Sequence, residues 1–157
     1  MTEVAAKSER ADRPRLSAAD WEQAALKRWE LADVEGLMRH VDPIEDPRER
    51  LTQLFMRTSH EMRTHVIYSA LLNTLDHPAV QPVMQRLSLR RINYLAVAYR
   101  ALGLPRRDAM HRARLAYSAY VGFLQLMLQL KLPRMDTEDF EGYVAHVVST
   151  LIPPAAT

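Results

Sequence analysis

Arg91 is the charged residue whose position in the sequence carries the most chemical meaning. It falls in a series of mainly apolar residues that recur at steps of three and four between Val80 and Leu102, a spacing that predicts the buried face of a helix. An unpaired charge in a protein interior is strongly destabilising, so Arg91 must have a partner. Two interpretations stay open. The side chain forms an internal ion pair or extends its charged head into water, or it reaches a ligand or a second subunit.

Several aromatic residues fall on the inward faces of the predicted helices, and their tyrosine hydroxyls need hydrogen-bond partners when they are buried. Taken singly, each of these residues fits an ordinary core. Together with the eight methionines, which suit adaptable apolar pockets, they favour a cavity for a small hydrophobic or aromatic ligand. The predicted ligand-binding residues are Trp29, Phe55, Tyr68, Leu72, Arg91, Tyr94, Tyr117 and Tyr120.

The residue patterns of metal centres and of common catalytic sites are missing from the sequence. The six histidines form no HExxH motif and no pair at i, i+4 with an acidic third ligand. There is no cysteine, no G-x-S-x-G turn, no Walker A motif and no glycine-rich dinucleotide fingerprint. We therefore expect no catalytic residue, no metal ligand and no cofactor, and the chain is not predicted to be an enzyme.

The elements that would position these side chains are all helices. The chain has 157 residues, of which 48% are hydrophobic and 25% charged, which is typical of one globular domain. Apolar residues recur at three and four between the prolines, and Ser17, Asp46 and Asp136 are predicted N-caps. The pattern predicts an all-α bundle of about five to six helices: 18–41, a second from 46 that weakens at 59–64 and resumes to 75, 78–103, 105–131 and 136–152.

Charge and hydropathy restrict the partners of the chain. The 21 Lys and Arg against 19 Asp and Glu leave a net charge of +2, which does not by itself indicate nucleic-acid binding. Residues 86–114 hold eight arginines and one aspartate. They form either solvated helix faces or a site for an anionic partner.

No run of about 20 apolar residues predicts a membrane span and no signal peptide is evident, so we expect a cytoplasmic protein.

The long helix predicted at 105–131 is apolar on two sides, and one of these sides is rich in small residues. A helix of this kind is either central to its own domain or shared with a partner subunit. The amphipathic last helix follows it directly, which favours a homodimer. The predicted interface residues are Leu115, Ala119, Gly122, Leu126, Phe140, Tyr143 and Val147.

Four segments of the chain carry a family resemblance. They are AALKRWE at 24–30, DPRERLTQLF at 46–55, LDHPAVQPVMQRLSLRRINYLAVAYRALGLP at 75–105 and DAMHRARLAYSAYVGFLQLML at 108–128. In this order they resemble the C-terminal ligand-binding and dimerisation domain of TetR-family transcriptional regulators. The resemblance implies an all-α bundle with an effector pocket in each subunit, whose last two helices pair with those of a second subunit in a four-helix interface.

The chain departs from this family at its N-terminus. Family members begin with a helix-turn-helix domain, which needs about 45 residues to form its own core. Only 16 residues precede Ser17, the N-cap of the first predicted helix, and they contain one leucine, one valine and no aromatic residue. We expect residues 1–16 to be a flexible arm, residues 17–152 an effector-binding and dimerisation domain, and residues 153–157 a tail. The chain alone is not expected to bind a specific DNA operator.

Several functional roles stay open at this point. The chain is an effector-sensing domain that works alone, a partner that forms heterodimers with a complete regulator, or a regulator whose upstream coding region is missing. The alternative from a different class is a structural helical interaction protein with a packed core and no ligand pocket.

Overall fold

A computed structural model describes residues 17–154, apart from the side chains of residues 33 and 34. This part of the chain forms six α-helices and no strand, which confirms the predicted all-α bundle. The helices are α1 (Ala18–Val41), α2 (Pro47–His60), α3 (Met62–Leu72), α4 (Val80–Ala101), α5 (Arg106–Leu124) and α6 (Thr137–Leu151). The predicted arm at 1–16 lies outside the described residues, as do the last three residues of the predicted tail.

Three helices begin at the polar residues that the sequence indicates. Ser17 and Asp20 form a reciprocal capping box on α1. The Asp46 carboxylate accepts hydrogen bonds from two backbone amides of α2, with Pro47 at the first position, where no amide donor is lost. Asp136 caps α6 through the Asp139 amide at 2.9 Å. These local bonds satisfy amides that a helix start leaves without partners, so the three predicted N-caps are confirmed.

The helical conformation is interrupted at Glu61, where φ is −81° and ψ is 64°. This break separates α2 from α3 and agrees with the predicted weakening at 59–64. It lets α3 leave the direction of α2 and lie against α4. The short helix α3 has no side-chain N-cap, so its stability depends on packing with its neighbours.

The helix predicted at 105–131 is not a single α-helix. After Leu124 the backbone widens into a π-helical turn, Gln125–Gln129, in which the Leu130 amide bonds to the Gln125 carbonyl five residues earlier. A π-turn accommodates one extra residue, which a pattern of threes and fours does not reveal. The Gln129 side chain donates to the Ser69 carbonyl at 3.3 Å and ties this turn to α3.

Helix α4 is the centre of the bundle. It contacts α1, α2, α3 and α5, and the turn to α5 contains Gly103 at φ 93°, the predicted left-handed cap. The last helix, α6, packs on α2, and the buried Tyr99 hydroxyl of α4 donates to the Leu151 carbonyl at 3.0 Å. Within residues 17–154, no helix has the length and hydrophobicity that crossing a membrane requires.

An ion pair fastens α1 to α4. Glu30 is only 7% exposed, and the Arg86 guanidinium donates two hydrogen bonds to its carboxylate, at 3.0 and 3.3 Å. The carboxylate has lost most of its hydration, so it depends on this partner. Such two-point pairing is the strong form of an arginine–carboxylate contact.

We expect Arg86→Gln to lower the free energy of unfolding by about 1–2 kcal/mol, because it leaves the buried Glu30 charge without its cation. The measurement is urea unfolding. Arg90→Gln, an exposed change one turn along the same helix, is the matched control and should cost less than about 0.5 kcal/mol. Equal losses in the two variants would contradict the structural role of this ion pair.

Candidate functional site

The ring of Tyr68 on α3 is fully buried and is shared by several helices. Its centroid lies 6.4 Å from that of Trp29 on α1 and 5.9 Å from that of Tyr120 on α5. Tilted ring pairs at these distances are favourable contacts between aromatic quadrupoles. Tyr68 therefore joins three helices at one point of the core.

The hydroxyl groups of Tyr68, Tyr117 and Ser88 form a buried chain. The Tyr68 and Tyr117 hydroxyls are hydrogen-bonded to each other, and the Tyr117 hydroxyl lies 2.9 Å from Ser88 Oγ. Burial raises the pKa of Tyr117, with the neighbouring Tyr68 adding to the effect. The phenol thus stays protonated at neutral pH, and the chain satisfies polar atoms that burial has removed from water.

Arg91 lies against tyrosine rings. Its guanidinium carbon is 4.7 Å from the centroid of Tyr68 and 5.6 Å from that of Tyr120. Both distances are within the range of cation–π attraction, which strengthens when the pair is shielded from water. These rings stabilise a charged group that the sequence places in an apolar stripe.

A cavity of about 100 Å³ lies beside this cluster, and all six helices contribute to its wall. We call it the aromatic chamber. Its wall is largely apolar, and Arg91 and His65 are among its few polar members. Its aromatic residues are Phe55, Tyr94, Tyr117, Tyr120, Phe123, Phe140 and Tyr143.

The structure brings five of the eight predicted ligand-binding residues to the aromatic chamber. They are Phe55, Arg91, Tyr94, Tyr117 and Tyr120. The other three are not part of its wall: Tyr68 is in the core behind it, and Trp29 and Leu72 pack against that core. The difference arises because a helical stripe identifies inward residues but not which of them face a gap.

The seven residues predicted to form a dimer interface separate into two groups. Ala119, Phe140, Tyr143 and Val147 line the aromatic chamber of their own chain. Leu115 and Leu126 are 58% and 45% exposed, and Gly122 between them is partly exposed. The inward face of α6 thus meets the chamber, and the exposed leucines lie on the outer face of α5 and in the π-helical turn that follows it.

Helix α6 reaches α5 through aromatic side chains. The Phe123 ring stacks on Tyr143 at 5.1 Å with an interplanar angle of 17°, and it lies 6.3 Å from Phe140. Phe123 was not predicted as a site residue, although it shares a helix face with Tyr120 three positions earlier. These rings form one side of the chamber.

His65 is a second wall residue that was not predicted as a site residue. It is 2% exposed, its Nε2 lies 2.5 Å from the Thr58 carbonyl oxygen, and its ring meets Tyr120 edge-on at 5.5 Å. A carbonyl oxygen only accepts hydrogen bonds, so Nε2 is the protonated nitrogen. Burial lowers the pKa of His65, which keeps the imidazole neutral at pH 7. His65 precedes Tyr68 by three positions, and this spacing places the two residues on the same face of the helix.

A second cavity, of about 270 Å³, adjoins the first, and we call it the polar chamber. It lies among α1, α2, α3 and the faces of α4 and α5 that carry Arg91 and Tyr120. The polar members of its wall are His40, Arg57, Thr58, Glu61, Thr64, His65, Arg91 and Tyr120. No three histidine or acidic residues in the described part of the chain are grouped so that they could hold a metal ion.

At the edge of the aromatic chamber, His60 of α2 contacts α6. Its Nδ1 lies 2.7 Å from the Met56 carbonyl oxygen and its Nε2 lies 2.9 Å from Glu141 Oε1. Both partners only accept hydrogen bonds, so this geometry suits the doubly protonated imidazolium. The hydrogen bond with Glu141 is the main cause of a raised pKa for His60.

The chain has no match among protein families, curated proteins or solved structures. The resemblance of the quoted segments to TetR-family regulators therefore stays a prediction.

We expect Glu141→Gln to destabilise the fold more at about pH 5.5 than at about pH 8.5. Because the pKa of His60 is raised, its interaction with Glu141 contributes its full stabilisation below the ordinary histidine pKa of 6.5. This stabilisation is lost as the pH rises through the raised pKa. The difference should be below about 1 kcal/mol, because both side chains are about half exposed. Urea unfolding at the two pH values measures it. As a control, Glu138→Gln on the same helix should change stability equally at both pH values.

Proposed function

We propose that this chain is an effector-binding and dimerisation module of the kind that the TetR resemblance implies. The observation that carries the proposal is the aromatic chamber, which has side chains from all six helices in its wall. Binding sites for small molecules are concave and mainly apolar, with a few polar groups that set orientation. Arg91 and His65 are such polar groups here. The proposed role is binding, with no reaction assigned to the chain.

The chamber size favours a small apolar effector. A cavity of about 150 Å³ in another protein admits benzene, and the aromatic chamber measures about 100 Å³. A single ring or a short hydrocarbon chain is thus the largest apolar group that it accepts after modest adjustment of side chains. The alternative of a structural protein without a pocket predicts no response to such molecules.

Benzene and toluene should therefore stabilise the purified chain. A ligand at about ten times its Kd adds about 1.4 kcal/mol to the stability and raises Tm by several degrees. Ala119→Phe places a ring in the chamber and should abolish this rise. Ala145→Phe, at an exposed alanine of α6, is the matched control and should keep it. No rise in Tm with either compound would refute the proposed function.

Helix α5 also supports the proposed homodimer. Its outer face carries exposed Leu115 and partly exposed Gly122, and exposed Leu126 follows in the π-helical turn at its end. Small residues allow two helices to approach closely. The opposite face of the same helix presents Tyr117 and Tyr120 to the chamber. An effector in the chamber would thus lie one helix away from the partner subunit.

The chain should run at about twice its mass of 18.1 kDa in size exclusion with light scattering. Leu126→Glu should shift the protein to the monomer mass, because it places a charge within the proposed interface. Val97 lies within helix α4 and is 68% exposed, so Val97→Glu is the matched control and should leave the dimer intact. A monomeric parent protein, or dissociation by both variants, would contradict the α5 interface.

A further inference from the structure

The imidazole of His65 uses one of its two ring nitrogens within the chain. Its Nε2–H donates to the Thr58 carbonyl oxygen, so in the neutral ring Nδ1 is the nitrogen that carries a lone pair. Within residues 17–154, this is the only hydrogen bond that the ring forms. Nδ1 is therefore an acceptor to which no group in the described part of the chain donates.

His65 places this acceptor at a ligand cavity. The residue is only 2% exposed, and it belongs to the walls of both the aromatic chamber and the polar chamber. Burial lowers the pKa of His65 and so preserves the lone pair at neutral pH. A buried acceptor that lacks a donor costs free energy. A ligand that brought a donor to Nδ1 would remove this cost.

Two hydroxyl groups of the same wall already donate to partners within the chain. The Ser59 hydroxyl donates to the Phe55 carbonyl at 2.8 Å, and the Tyr94 hydroxyl donates to the Asp42 carboxylate at 2.8 Å. These groups have given their protons to the protein. His65 differs from them, because its Nδ1 carries no proton and can only accept.

The chemistry of the wall selects an uncharged donor. A carboxylate offers no proton at neutral pH, and an ammonium would lose its hydration against a largely apolar wall, which is strongly unfavourable. A hydroxyl group on an aromatic ring meets both conditions, since phenol is un-ionised at neutral pH and donates through its O–H. Its single ring also has the size that a chamber of about 100 Å³ accepts after modest adjustment.

From the lone pair of His65 and the apolar wall beside it, we propose that the effector is a small phenol. Its ring occupies the aromatic chamber, and its hydroxyl donates to His65 Nδ1. This inference rests on the proposed function and adds the hydrogen-bonding group that the site selects.

The test compares phenol with toluene, in which a methyl group replaces the hydroxyl. Calorimetric titration of the full chain at neutral pH should show that both bind. His65→Phe should raise the Kd of phenol about tenfold and leave that of toluene within about threefold, because the ring volume stays and the acceptor is lost. The Thr58 carbonyl keeps the Glu61 amide at 3.4 Å in this variant. His111→Phe, the same change at an exposed histidine of α5, is the matched control and should leave both Kd values unchanged.

A second measurement needs no variant and follows the ¹⁵N resonance of His65 Nδ1 in the parent chain. A lone-pair nitrogen that accepts a hydrogen bond moves to lower frequency. Phenol should therefore shift this resonance to lower frequency, and toluene should shift it much less. If His65→Phe fails to fold, this measurement decides alone.

Three outcomes would each overturn this inference: toluene binds and phenol does not, His65→Phe leaves the Kd of phenol unchanged, or phenol does not shift the Nδ1 resonance. These outcomes leave the proposed function standing, because benzene and toluene would still raise Tm. If neither phenol nor toluene binds and Tm does not rise with benzene or toluene, the proposed function fails and the inference fails with it.

Discussion

The buried ring of Tyr68 is the contact on which the rest of the bundle depends. It meets Trp29 of α1, Arg91 of α4 and Tyr120 of α5, and its hydroxyl bonds to Tyr117. Helix α3 is short and has no side-chain cap at its start, so packing of this kind must hold it in place. A protein interior is close-packed, and a change at such a junction is felt by every helix that shares it.

The aromatic chamber follows from how these rings and their neighbours pack. Aromatic rings prefer tilted or offset pairs. The ring centroids of Tyr117 and Tyr120 are 6.3 Å apart, and those of Phe123 and Tyr143 are 5.1 Å apart. Phe123 and Phe140 bridge α5 and α6, while the backbone of α6 packs on α2. Space remains among side chains that reach across from several helices. An apolar ligand would replace that space with contacts, which is the physical basis of the proposed binding.

Electrostatics distinguish this site from an imperfectly packed core. A cation–π arrangement holds Arg91 at the wall between an apolar and a polar chamber, and His65 is held neutral beside it. The His60–Glu141 contact joins α2 to α6. Because α5 lines the chamber on one face and exposes Leu115 on another, the proposed ligand and the proposed partner subunit would contact the same helix.

The sequence by itself determined the helices, because caps and apolar spacing are local. Asp46 with Pro47 and Gly103 with its left-handed turn need only their neighbours in the chain. The stripe around Arg91 also predicted its inward position. Only the tertiary structure decided that tyrosine rings lie beside Arg91, that His65 joins the site, and that Phe140 and Tyr143 line a chamber. These features depend on contacts between helices that lie far apart in the chain. The periodicity of the sequence does not encode the angle at which α6 meets α2. It also does not reveal the extra residue of the π-turn.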